Sequence, residues 1–349
     1  MEDGKYVEGS FYIYAPNKGA PVFFAVAFLA TGGVHLWQAI HYKSWRLTGL
    51  YIVCSLLFAS GFIVRELGAF EYTNLVLYIV SQCLIYFAPP LYELCNYYIL
   101  GRILYFVPYY SPIHPGRVLT TFAAISIVVE ALNGNGIAYI ANKSLPEKQQ
   151  RTGESLLKAS LVLQLVVVSL FVVLAGAFQT RCRRNGINHV KVNQALLTLY
   201  ISTAIIMVRC IYRTVEYFGA TNVDYSDPNF DFSALSPIVR YEWFFYVFEA
   251  TLMLCNSVLL NVRHPRRWLP SSTKVYLAKD NVTEIMGPGY KQERNVLATI
   301  VDPFDIYGMI KGRDQATRFW DDNELEGRKA DVDPMLSTAE RQTDRTVRK

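Results

Sequence analysis

Arg209, Arg213 and Glu216 stand at i, i+4 and i+7 near the end of an apolar run over 195–216. Glu242, Tyr246 and Glu249 repeat that spacing in the next apolar run, 237–262. The period puts each trio on one face of a helix. A charge at the centre of a bilayer costs at least about 2.5–3.5 kcal/mol unless it is paired or hydrated. Such residues therefore bind each other, water or a charged ligand. Consecutive spans run antiparallel, so depths can be compared. Arg213 and Glu242 fall about one turn from the surface, and Arg209 and Glu249 roughly 12–16 Å deep at 1.5 Å per residue. The spacing predicts two rungs of opposite charge, Arg209 with Glu249 and Arg213 with Glu242 above it. An interhelical clamp is the plainer reading, and Arg213 and Glu216 are shallow enough to snorkel to the interface.

Other apolar runs add polar groups. GFIVRELG brings Arg65 and Glu66 to the same level as the first rung. FAPPLYELCNYYILGR carries Glu93, Asn96 and Tyr97 beyond Pro89-Pro90, and Arg102 at its end. The two prolines remove backbone donors and leave carbonyls that need another partner or water. SIVVEALNGNG supplies Ser126, Glu130 and Asn133 on one face, with Asn135 nearby. Gly134 and Gly136 are expected to let a neighbouring helix approach. Each group alone is compatible with polar packing. Together, the spans bearing acidic or basic groups point to a hydrated path or a headgroup site.

These groups need long helices to hold them. The chain has 349 residues, 52% of them hydrophobic, and a formal net charge of +5. Its apolar residues fall into blocks of the length that crosses about 30 Å of hydrocarbon. Seven stand out, near 19–41, 47–66, 74–100, 117–140, 155–178, 195–216 and 237–262. The expected fold is all-α, a seven-helix membrane bundle over 19–264 with a short N-terminal segment, 1–18. The stretch 265–349 is rich in charge and poor in periodicity, and is expected to be a mostly disordered tail. Residues 1–18 lack a basic n-region, so the first block reads as a retained span. Lys and Arg cluster in the loops after spans 1, 3 and 5 and at the start of the tail. The 4–5 loop, with Lys143, Lys148 and Arg151, is the exception. The bias predicts an external N-terminus and a cytoplasmic tail. It places the sequon at Asn142 outside, where it is expected to be glycosylated, and the one at Asn281 inside.

Several functions have no residues to carry them. Five of six cysteines lie within spans and read as packing residues; Cys182, beside Arg181, Arg183 and Arg184, is a juxtamembrane candidate for palmitoylation. Only His35 of five histidines lies well inside a span. An intramembrane zinc hydrolase needs several His and Asp ligands, so neither a metal nor catalysis is expected. The last span has no lysine for a retinal Schiff base, and no GxxxxGK[ST] loop is present. No cofactor or nucleic-acid partner is expected. Oligomeric state leaves no signal in the sequence.

Across about 20–265 the chain resembles the fungal lipid-translocating exporter (RTA-like) family, seven-span proteins linked to aminocholesterol resistance and sphingoid-base release. The resemblance rests on Gly61 with Arg65, Ala88-Pro89, Tyr97, Gly101-Arg102, and Phe122 with Asn133 and Gly136. It is strongest in Arg209, Tyr212, Arg213, Glu216 and Gly219, then Glu242, Tyr246 and Glu249, closing with His264-Pro265. The chain departs from the family at Ser126 and Glu249, where Asp is usual, at Asn133, where Gln is usual, and at Glu93, where a small residue is usual. Glu130, one turn from Ser126, stands where it can replace the missing carboxylate. The resemblance implies binding and export of amphiphilic lipids or toxic amphiphiles, resistance to membrane-active compounds, and a plasma-membrane location. A receptor-like lipid or stress sensor of the same topology is the alternative.

Overall fold

A computed structural model describes residues 10–12, 14, 16–141, 145–221, 236–270, 272–287, 298–299 and 302–312. Asn142 lies outside the described residues. Among the described residues, seven helices are long and apolar enough to cross a membrane. They are α1 (Ala20–His41), α2 (Trp45–Phe70), α3 (Leu75–Phe106), α4 (Pro115–Ala141), α5 (Glu147–Arg184), α6 (Val190–Thr221) and α7. Helix α7 is composite, with α-helical Glu242–Phe245, a π-helical stretch Tyr246–Thr251 and α-helical Leu252–Val262.

Several helices outrun their apolar blocks. At 1.5 Å per residue the 38 residues of α5 extend about 57 Å, well beyond the hydrocarbon. A helix continues past the apolar stretch until something stops it: Pro108 lies beyond α3, Pro146 precedes α5 and Gly186 follows it. Asn74 caps α3 by accepting from the amides of Val76 and Leu77 at 3.1 and 3.3 Å. The last span begins later than its block. Pro237–Arg240 forms a separate turn, and Tyr241 is extended before Glu242 opens α7.

Neighbouring helices pack in chain order, α7 closes against α1 and α6, and α3 also meets α6 across the bundle. Helix α3 runs helical through Pro89 and Pro90, and its Tyr92, Leu100, Ile103 and Leu104 are fully buried. Outward positions such as Phe23, Val76, Ile127 and Val173 remain exposed, as a lipid-facing surface requires. Gly136 of α4 and Gly153 of α5 sit against each other: a Cβ on Gly136 would lie 2.9 Å from the Gly153 carbonyl oxygen. Gly134 faces open space, contrary to the expectation that it too admits a helix.

The described residues between Pro265 and Gly312 include regular elements that the composition does not suggest, and 313–349 lie outside the described residues. Antiparallel strands β1 (Val275–Leu277) and β2 (Glu284–Met286) form a hairpin. Short helix α8 (Ile306–Ile310) follows. Leu277 joins the bundle core with no exposure, and Lys191 at the start of α6 pairs with Glu284 at 2.9 Å. Asp280 closes the hairpin turn by accepting from the amides of Val282 and Thr283 at 3.0 and 2.9 Å. Bonds from Thr283, side chain first, hold its carboxyl below the usual range. Three-residue strands carry too little periodicity to be visible in sequence. Cys182 is buried, which leaves its thiol no access for acylation.

Candidate functional site

The polar groups form layers between α2, α3, α6 and α7. The face of the bundle that carries the N-terminal segment opens into a cavity of about 230 Å³. Its lining includes Tyr12, Tyr14, Arg65, Tyr78, Gln82, Tyr86, Arg213, Glu216 and Tyr217. Arg65 is 1% exposed and donates to Glu242 at 2.8 Å and to the Tyr14 hydroxyl at 3.3 Å. Its guanidinium lies 4.2 Å from the Phe245 ring centroid and 4.7 Å from that of Tyr12. Ring faces thus replace part of the water a buried cation loses. Burial holds the Tyr14 phenol well above its ordinary pKa, so it stays a neutral donor and acceptor beside Arg65. The Tyr246 hydroxyl and the Asn17 amide complete the shell of Glu242 at 3.1 and 2.7 Å.

Glu242 therefore pairs with Arg65, and the expected Arg213–Glu242 rung is absent. Arg213 instead pairs with Glu216 on its own helix and donates to the Tyr86 hydroxyl at 2.9 Å, with that ring 3.9 Å away. The π-helical stretch supplies the reason. It carries more residues per turn than an α-helix, so Glu242 and Glu249 no longer share the face that i, i+7 spacing assigns them. Glu249 turns toward α6 and Glu242 toward α2.

The deep rung is present. Arg209 Nε donates to Glu249 Oε1 at 2.7 Å, with side-chain exposures of 9% and 0%. The second Glu249 oxygen has no hydrogen-bond partner among the described residues. Nearby, Glu93 accepts from Gln164 Nε2 at 2.6 Å and from Tyr97 at 3.1 Å, and Tyr97 also meets Ser126 at 3.3 Å. Glu130 is half-buried on α4, with Asn133 close by. Arg209 is near enough to act electrostatically on both Glu93 and Glu130. Three carboxyl groups, Glu249, Glu93 and Glu130, thus lie around Arg209 inside the bundle, and Arg213 one turn away also acts on Glu249. Asn96 bonds Ser202 of α6 at 3.0 Å, joining the two central helices.

Two sequence candidates lie apart. Glu66 accepts from the Gly19 amide at 3.1 Å and so sits at the start of α1, where a carboxylate complements the helix dipole. Arg102 is at the opposite end of α3 and donates to the Pro270 carbonyl at 2.5 Å. Tyr78, Gln82 and Tyr86 escaped the sequence reading, although their i, i+4, i+8 spacing in α3 marks one face. Gln164 and the N-terminal tyrosines gave no such signal. Among the described residues, no group of three His, Cys, Asp or Glu is placed to hold a metal ion.

A family model described as "RTA1 like protein" matches residues 51–272. A Leptosphaeria maculans protein named "Lipid-translocating exporter-like protein RTA1" is 42% identical over 314 residues, covering 87% of this chain and 60% of its own length. The chain therefore spans about three-fifths of that relative. A protein of the same name from Ajellomyces capsulatus is 27% identical, over 67% of this chain and 73% of the relative. The Emericella nidulans "Probable lipid transporter atnI" is 26% identical, over 75% and 69%. No solved structure matches the chain. The matched region takes in α3 to α6, the whole of α7 and nearly all of α2, with every charged layer described above, and the chain belongs to the RTA1-like family of seven-span membrane proteins.

Proposed function

We propose that the chain binds and translocates amphiphilic lipids whose headgroups carry an amine, sphingoid bases and zwitterionic phospholipids being the nearest classes. The observation that carries this reading is the cluster of three carboxyl groups around Arg209, beneath a cavity lined by tyrosines and charged groups. An ammonium entering it balances Glu93 and Glu130, and the aromatic rings of the cavity attract the same cation. The lipid-transport names of the relatives support the class of cargo. Export, protection against toxic amphiphiles and a plasma-membrane site extend the same reading. Catalysis is no part of it.

The charge bias of the loops supports an external N-terminus, which makes the cavity an outer-leaflet vestibule. A glycan on Asn142, and protection of a tag after Lys349 from external protease in intact cells, are the expected results. A glycan on Asn281 or an accessible tag contradicts the orientation. The functional test is reconstitution of purified protein in liposomes with labelled sphingoid base and phospholipid. Transbilayer movement above that of protein-free vesicles supports the reading, and none refutes it.

A further inference from the structure

At the opposite face, near the tail, a cleft of about 880 Å³ lies between α2, α3 and α4. Leu50, Leu94, Leu119, Ile125 and Ile127 make its walls apolar, and its volume is within the roughly 300–1,000 Å³ of ligand sites. Ile127 and Val128 on its rim are exposed, so it opens sideways onto the bilayer. The tail reaches it: Thr299, Pro303 and Phe304 complete the lining. The next residue, Asp305, pairs with Arg117 at 3.4 Å at the start of α4, less than a turn from Leu119 and Thr120 of the cleft.

The turn that presents these two side chains is built. Asp302 accepts from the amides of Ile306 and Tyr307, each at 3.0 Å. Asp305 adopts a left-handed backbone, φ 52°, which disfavours most side chains. An apolar ring in the cleft followed by a carboxylate on an arginine has the layout of an amphiphile, with the chain in the groove and the anionic head at the interface. We propose that the cleft binds the alkyl chain of an anionic amphiphile in the tail-side leaflet, with its headgroup on Arg117, and that Phe304 and Asp305 compete with it. This site is distinct from the amine-selective layer and opposite in headgroup charge. Anionic lipids concentrate in a cytoplasmic leaflet, which is where the predicted orientation puts it.

The test uses the full chain in nanodiscs with photoactivatable, alkyne-tagged palmitate, and crosslinks mapped to α3 and α4 peptides around Leu94 and Ile125. Asp305→Asn should raise labelling about fivefold, the size expected of one partly screened ion pair. Arg117→Gln should lower it, and Arg117→Lys, which keeps the charge, should retain most of it. Photoactivatable sphingosine, with a similar chain and a cationic head, should not gain from Asp305→Asn. Unlabelled palmitate should compete and inorganic phosphate should not. Equal labelling in wild type, Asp305→Asn and Arg117→Lys/Gln, an equal gain for sphingosine, or full competition by phosphate overturns the proposal. Binding is read without transport, so the result does not depend on whether the chain moves lipid.

Discussion

At the scale of single residues, charges in this bundle are held by specific partners, and removing one partner leaves the other stranded. Breaking a buried pair costs about 3–5 kcal/mol, so Arg209→Ala should sharply lower the yield of folded protein. Adding Glu249→Ala should restore much of it by removing the orphan charge. The same logic separates the two possible partners of Glu242. A double-mutant cycle on Arg65 and Glu242 should show a coupling of about 1–3 kcal/mol, and one on Arg213 and Glu242 close to zero. Thermal unfolding in detergent reads both; strong coupling of Arg213 to Glu242 would contradict the geometry. The Arg209–Glu249 pair was legible in the sequence because depth, sign and spacing agree on it. The Glu242 partner was not, because the π-helical stretch over Tyr246–Thr251 shifts the face and nothing in YVFEAT announces it. Tyr78, Gln82 and Tyr86 were not legible, because without charge their shared-face spacing resembles ordinary packing.

At the scale of elements, seven helices were visible as seven apolar blocks, since hydrocarbon forces long helices and leaves little else. Their contacts were less visible. Gly134 and Gly136 look alike in NGNG, yet only Gly136 meets another backbone. Gly136→Ala should cost about 1–3 kcal/mol by forcing α4 from α5. Gly134→Ala should be neutral or stabilising by up to about 1 kcal/mol, since alanine is the better helix former. Equal melting shifts for the two would show that the α4–α5 contact is looser than described. The hairpin was illegible for a different reason: its stability comes from burying Leu277 in the bundle core and Tyr276 against Ile285 and Tyr109, a tertiary effect. Truncation after Ser271 should therefore lower the melting temperature, since loss of one buried leucine costs about 2–5 kcal/mol. Truncation after Gly312 should not. If both truncated forms melt like the full chain, the hairpin is not part of the core.

At the scale of the whole molecule, a polar layer inside the bundle, which we propose selects amines, lies beneath an aromatic vestibule on one face. Arg213 and Glu216 of the vestibule are satisfied by Tyr86, Tyr212 and each other, so substituting that pair need not unfold the protein. Arg213 and Glu216 are only partly buried, each with 21% side-chain exposure, and form a pair within one helix. Replacing both by glutamine removes no net charge and strands no partner. Glu93 differs: among the described residues it has no cationic partner at hydrogen-bond distance and is held by Gln164 and Tyr97. Buried beneath the vestibule, it is the carboxyl group that we propose an incoming ammonium meets. The decisive measurement is the rate of transbilayer movement of a labelled sphingoid base in liposomes, compared between wild type and folded Glu93→Gln protein at equal density. Wild type should move the lipid well above protein-free vesicles, and the variant should lose at least about tenfold, a hydrogen bond to a charged group being worth about 1.5–3 kcal/mol. Equal rates for the two proteins, or a wild-type rate no faster than that of protein-free vesicles, would contradict the proposal.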